Sequence, residues 1–126
     1  MTHADPRISA VEAFLGGLTD NSVDRMPLHP NVVLTSPLDP DRPLRGRDAA
    51  VAFLERQVFP RIPVRKAEVE RHMIEGDCVA TLWKATFALP GGKEVDVPIF
   101  DFFRVEKGLI KEIRPYFDPA PLKGAA

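Results

Sequence analysis

From Val64 to Phe117 the chain reads as four long segments of strand-like alternation joined by tight turns, and this limits its fold more than any other feature. VRKAEVERHMI, CVATLWKATFAL, EVDVPIFDFFRV and LIKEIRPYF are separated by Glu75-Gly76-Asp77, Pro90-Gly91-Gly92 and Glu106-Lys107-Gly108. Connections this short join antiparallel neighbours. A meander of this kind has an apolar face that needs a cover.

The first half of the chain supplies that cover. Asp5 before Pro6 forms an N-cap followed by the proline that helices accept in their first turn, and Val11, Phe14, Leu15 and Leu18 then recur at helical spacing. After the polar break Thr19-Asp20-Asn21-Ser22 comes a short element around Val23 to Leu28, then NVVLTSP, which is short and β-branched enough to be a strand. PLDPDRPLRG, with prolines at 37, 40 and 43, is an irregular loop. A further helix is expected from Arg47 to Val58, with Ala50, Phe53 and Leu54 on one face, ended by Pro60 and Pro63. Helices first and meander last predict an α+β fold, with the helices packed on one face of a curved, mostly antiparallel sheet.

At 126 residues, with a net charge of −1 and 44% apolar residues, the chain has the size of one compact domain spanning residues 1–126. Its charge is dispersed without a basic stripe, which argues against nucleic acid as a partner. No apolar run approaches the roughly 20 residues needed to span a bilayer, and the start MTHADPRISA has neither a basic nor an apolar leader region, so no membrane partner and a cytoplasmic location are expected. The single Cys78 cannot form an internal disulfide, which agrees with a reducing compartment.

One residue stands out against the alternation. Asp101 lies in IFDFFRV with Val95, Val97, Ile99, Phe103 and Val105 in the same register, so its carboxylate is expected to point into the space these apolar side chains fill. A carboxyl group there either stays protonated near neutral pH, which makes it a hydrogen-bond donor, or finds a structural Arg or Lys partner. The opposite parity still carries Leu82, Phe100 and Phe102. A sheet with that face toward water would be polar there, so a symmetric partner covering Phe100 and Phe102 is expected, a homodimer.

The order of elements, the strand-to-loop LTSP, the helix GRDAAVAFL and the ending FRVEKGLIKEIRPYFDP resemble the nuclear transport factor 2-like superfamily, a cone-shaped fold that includes ketosteroid isomerases, SnoaL-type cyclases and limonene epoxide hydrolases. The likeness covers nearly the whole chain, and it identifies a fold better than a chemistry. Its functional positions carry over mostly as departures. Ser36 stands where the isomerases have a general-base Asp, and Phe14 where they have a tyrosine oxyanion donor. Asp101 alone matches, at the position of their protonated Asp. The epoxide hydrolases' Arg and Asp fall on Ala85 and Phe87, and their last-strand Asp, an acid position shared by the cyclases, falls on Pro115. The cyclases' histidine one strand earlier falls on Asp101.

Other chemistry is thin. His3, His29 and His72 show no metal-ligand spacing, Cys78 has no His or Asn motif near it, and Gly16-Gly17 and Gly91-Gly92 lack the strand and helix context of phosphate loops. No metal and no cofactor are expected. Ser36 is a small polar group at a catalytic address, and the resemblance implies a cavity lined by Phe14, Phe53, Leu54, Trp83, Ala85, Phe87, Val97, Ile99, Phe103 and Phe117. Two functions follow: a binder of a small hydrophobic molecule, or a cofactor-independent isomerase, cyclase or hydrolase with Asp101 as acid or oxyanion donor, assisted by Ser36 or His72.

Overall fold

A computed structural model describes residues 5–125. Helix α1 runs Pro6–Asp20, and the Asp5 side chain caps it by accepting the Arg7 backbone N–H at 2.9 Å. Arg7 in turn donates from Nη1 to the Gly76 carbonyl at 2.6 Å, which ties the helix start to a turn of the sheet. The chain then turns through 21–27 and enters β1, Leu28–Leu34. This differs from the expectation of a separate element at Val23–Leu28 and a strand at 31–37. The apolar residues Met26 and Leu28 anchor the turn and the strand start, Thr35 still donates its N–H to the Ile113 carbonyl at 3.0 Å, and Ser36 and Pro37 have left the ladder.

The proline-rich loop contains a two-residue strand, β2, Leu44–Arg45, which pairs with Val33 and Leu34. Helix α2, Arg47–Phe53, passes without a break into a π-helical turn, Leu54–Val58, and a last turn, α3, Phe59–Arg61. Pro60 therefore does not end the helix as expected. In a regular helix its ring would collide with the carbonyl four residues back. The wider turn, in which the Phe59 N–H reaches back to the Leu54 carbonyl, accommodates it.

Four strands complete the chain: β3 (Val64–Glu75), β4 (Cys78–Ala88), β5 (Glu94–Glu106) and β6 (Leu109–Tyr116). The sheet order is β2-β1-β6-β5-β4-β3, antiparallel except where β1 runs parallel to β6. Lys107 and Gly108 form the β5–β6 turn with φ of 52° and 79°, the left-handed pair that a two-residue hairpin loop requires. Register shifts after Val69 on β3 and after Arg104 on β5 mark bulges that bend long strands. The curved sheet packs its inner face against both helices: Val11, Phe14 and Leu15 from α1 join Leu54 and the inward residues of β4, β5 and β6 in one core. The outer face keeps Phe100 at 40% and Tyr116 at 54% exposure, with Leu82 and Phe102 half-buried beside them.

Candidate functional site: an apolar pocket around Asp101

Asp101 is on the inner face of β5, as the alternation predicts, and is 2% exposed. It sits opposite Thr81 on β4 and Pro115 on β6. Its Oδ2 accepts the indole N–H of Trp83 at 2.8 Å, and its Oδ1, equally buried, has no hydrogen-bond partner. None of the ion pairs among the described residues involves Asp101, so the structural Arg or Lys partner considered from the sequence is not there. Burial pushes the carboxyl up to about 7, and the Trp83 hydrogen bond, which favours the charged form, offsets only part of that.

Around this group lies a pocket of about 80 Å³ between α1, the α2–α3 helix and the sheet. Phe14, Phe53 and Leu54 come to it from the helices, Trp83, Phe87 and Ile99 from β4 and β5, Ser36 from the end of β1 and Phe117 from the segment after β6. These are the expected lining residues that the fold does bring together. Ala85, Val97 and Phe103 are not among the lining: each is buried in the core on the same face, and Phe103 packs edge-on against Phe14 at 5.7 Å instead. Alternation gives the face of a strand but not the position along it, and the pocket occupies only part of the face.

Sequence reasoning also missed lining residues. Leu34 and Ile113 each lie two residues before a lining position, Ser36 and Pro115, and so share its face. Val58 joins the lining from the last position of the expected helix, and Ile62 through the helical extension past Pro60, for which the proline hid the signal. Among the described residues, the one polar side chain on the wall apart from Asp101 and the Trp83 indole is Ser36. Its Oγ accepts the Leu38 N–H at 3.1 Å, which leaves the hydroxyl proton free to be donated.

The other candidates fall elsewhere. His29 Nδ1 accepts the Asn31 N–H in a local turn, and His72 lies outside the pocket lining, beneath α1. His3 lies outside the described residues. Burial and the Asp77 carboxylate push the Cys78 thiol up, away from the thiolate a nucleophile needs. Among the described residues no three His, Cys, Asp or Glu side chains are grouped closely enough to hold a metal ion, and no helix is long and apolar enough to cross a membrane.

The pattern of the SnoaL-like domain matches residues 11–113, most of the chain. The chain belongs to the SnoaL-like family. Its fold is that of the nuclear transport factor 2-like superfamily. Among solved structures, a protein from Jannaschia sp. CCS1 provisionally described as a SnoaL-like polyketide cyclase is similar at 22% identity and a TM-score of 0.75, over 95% of this chain and 90% of that one. A Mycobacterium tuberculosis epoxide hydrolase resembling limonene epoxide hydrolase shares 26% identity at a TM-score of 0.78, over 91% and 84% of the two chains. An NTF2-like protein of unknown function from Burkholderia pseudomallei K96243 shares 16% at a TM-score of 0.79, over 96% and 97%. No curated protein matches the chain. SnoaL-like relatives thus share this frame across different chemistries, and the pocket residues of each chain have to be read for themselves.

Proposed function

We propose that this SnoaL-like chain binds a small, mostly apolar molecule bearing one hydrogen-bond acceptor, held in the pocket by the neutral carboxyl of Asp101. The observation that carries this reading is the pairing at Asp101. Trp83 is a donor only, so Oδ2 serves as acceptor and the proton of the neutral acid sits on Oδ1, the oxygen with no partner. A buried donor without an acceptor is costly, and a carbonyl or ether oxygen entering the pocket would relieve that cost. The Ser36 hydroxyl offers a second donor, and the rest of the wall selects for apolar shape.

Catalysis by Asp101 as a general acid is the second reading, favoured by a carboxyl that titrates at about 7. Among the described residues the pocket wall itself carries no second titratable group: Ser36, Phe14, Phe87 and Pro115 fill the other addresses on it. We propose further that a second copy of the chain covers the outer sheet face, where Leu82, Pro98, Phe100 and Tyr116 line a groove that Glu68, Glu70 and Lys84 border.

The ligand reading is tested with acetophenone and with ethylbenzene, a near-isosteric molecule lacking the acceptor, using the indole N–H NMR signal of Trp83, the single tryptophan. Acetophenone is expected to shift that signal and to bind more tightly than ethylbenzene. Asp101→Asn is expected to keep the preference and Asp101→Leu to abolish it. Equal binding of the two probes by the unaltered protein, or binding of neither, would overturn the reading.

A further inference from the structure

Three residues stand side by side across the inner face of the sheet. His72 on β3 is paired with Thr81 on β4, and Thr81 with Asp101 on β5. The neighbouring inward positions on β4 and β5, from Val79 and Trp83 to Ile99 and Phe103, are apolar or aromatic, so this row is a polar strip in an otherwise apolar face. Thr81 is fully buried, and its Oγ1 lies 2.8 Å from His72 Nδ1. On the other side of the ring, His72 Nε2 is 3.6 Å from the Glu12 carboxylate of α1, which reaches solvent.

Among the described residues two buried side-chain polar atoms have no hydrogen-bond partner, and they are His72 Nε2 and Asp101 Oδ1. These are the two ends of the row. Directly paired strand residues hold their Cβ atoms roughly 5 Å apart, which sets the Asp101 carboxyl beside the Thr81 hydroxyl on one face. A hydroxyl accepts and donates at once. It can take the Oδ1 proton while giving its own to Nδ1, provided the neutral ring carries its proton on Nε2, the nitrogen that faces Glu12.

We propose that Thr81, His72 and Glu12 form a proton-transfer row that connects Asp101 to the surface beside α1, with His72 as the positioning residue for the Asp101 proton. In the forward step the Asp101 O–H bond breaks as a Thr81 O–H bond forms, and the original Thr81 proton moves to Nδ1. The products are a carboxylate and an imidazolium, so charge is conserved and no other reactant is needed. The imidazolium then presents Nε2–H to the Glu12 carboxylate. Among the described residues, Glu12 from α1 and Asp101 from β5, across Thr81, are the charged groups facing His72, while Trp83 from β4 and Pro115 from β6, the neighbours of Asp101, do not titrate. The row concerns the ligand-free protein, so it stands or fails separately from the proposed ligand.

The test is a pH titration of the full chain, read at the Asp101 carboxyl carbon and the His72 ring nitrogens by NMR. The neutral ring is expected to carry its proton on Nε2. His72→Gln is expected to move the Asp101 titration upward by roughly one pH unit, the effect of losing a cation about 10 Å away at an effective dielectric of about 20. Thr81→Val should release the ring from its fixed tautomer and Thr81→Ser should restore it, a pair that decides the matter even if His72→Gln fails to fold. A ring protonated on Nδ1, or an Asp101 titration unchanged by His72→Gln, would overturn the row.

Discussion

Trp83 and Asp101 are joined diagonally across two strands: the indole N–H reaches the carboxyl at 2.8 Å, although the residue directly opposite Asp101 is Thr81 and the one opposite Trp83 is Ile99. Diagonal neighbours are within reach only of long or aromatic side chains, which is why the large indole and not a smaller donor makes this contact. The bond takes up one carboxyl oxygen and leaves the other to the site.

Stability should therefore depend on pH through Asp101. Its folded value of about 7 is raised from 3.8, so the folded state holds a proton that the unfolded chain has lost between those values. The stabilisation is fully present below pH 3.8 and is lost as pH rises toward 7. The loss amounts to about 4 kcal/mol, because each pH unit between the two values contributes about 1.4 kcal/mol. Asp101→Asn, which keeps the shape and an acceptor for Trp83, should flatten this fall and be more stable than the unaltered protein above pH 7. Urea unfolding at a series of pH values measures it, and parallel stability curves for the two proteins would contradict the expectation.

Much of the frame is legible in the amino-acid sequence. The four strands and their turns follow from alternation and from Gly76, Gly91 and Gly108, and Asp101 is visible because a carboxylate breaks an apolar register. What is not legible depends on geometry beyond the local sequence. Pro60 signals a stop, yet a π-helical turn carries the helix past it and brings Ile62 to the pocket. Ala85 and Val97 share the face of Asp101 but lie away from the pocket, and periodicity alone cannot give that displacement. The His72–Thr81–Asp101 row needs the register of three strands, which no single segment encodes.

The outer face predicts assembly. Phe100 at 40% exposure faces the same side as Tyr116, its partner across β5 and β6, and a two-fold interface would bury each side chain twice. Phe100→Ser should weaken association by about 1–2 kcal/mol, because full burial of a ring contributes roughly 1.5–3 kcal/mol and only the 40% still exposed on each of the two rings is left to bury. Arg104→Ser, on the same face and already paired with Glu112, should have a far smaller effect. Sedimentation at tens of micromolar checks both, and a 14.0 kDa monomer for the unaltered chain would rule out the second copy.

Two adjacent glycines near the end of α1 should respond in opposite ways to alanine. A Cβ on Gly17 would lie 2.7 Å from the Ser22 carbonyl oxygen and 2.8 Å from Met26, a clash with backbone that the turn after the helix cannot relieve cheaply. Gly17→Ala should cost about 1–3 kcal/mol. At Gly16 the nearest atoms belong to the flexible end of Arg25, 3.2 Å away, so Gly16→Ala should be neutral or stabilising by up to about 1 kcal/mol. Thermal melts of the two variants distinguish these outcomes, and equal melting temperatures would contradict the packing argument.

The segment after β6 should open through one side chain. Leu122 is fully buried, whereas the backbone hydrogen bonds described for 118–125 all stay within that segment. Leu122 and Gly124 border a hollow shared with Leu38, Phe53, Val58 and Ile62, four residues that also line the pocket around Asp101. Leu122→Ala should therefore free the segment and loosen one wall of the pocket. With roughly 2 kcal/mol of apolar burial removed, the open population should rise about 30-fold, and tryptic cleavage after Lys123 should rise with it. Mass spectrometry of the digest measures the rate. Cleavage no faster than in the unaltered protein would mean that Leu122 is not what holds the segment down.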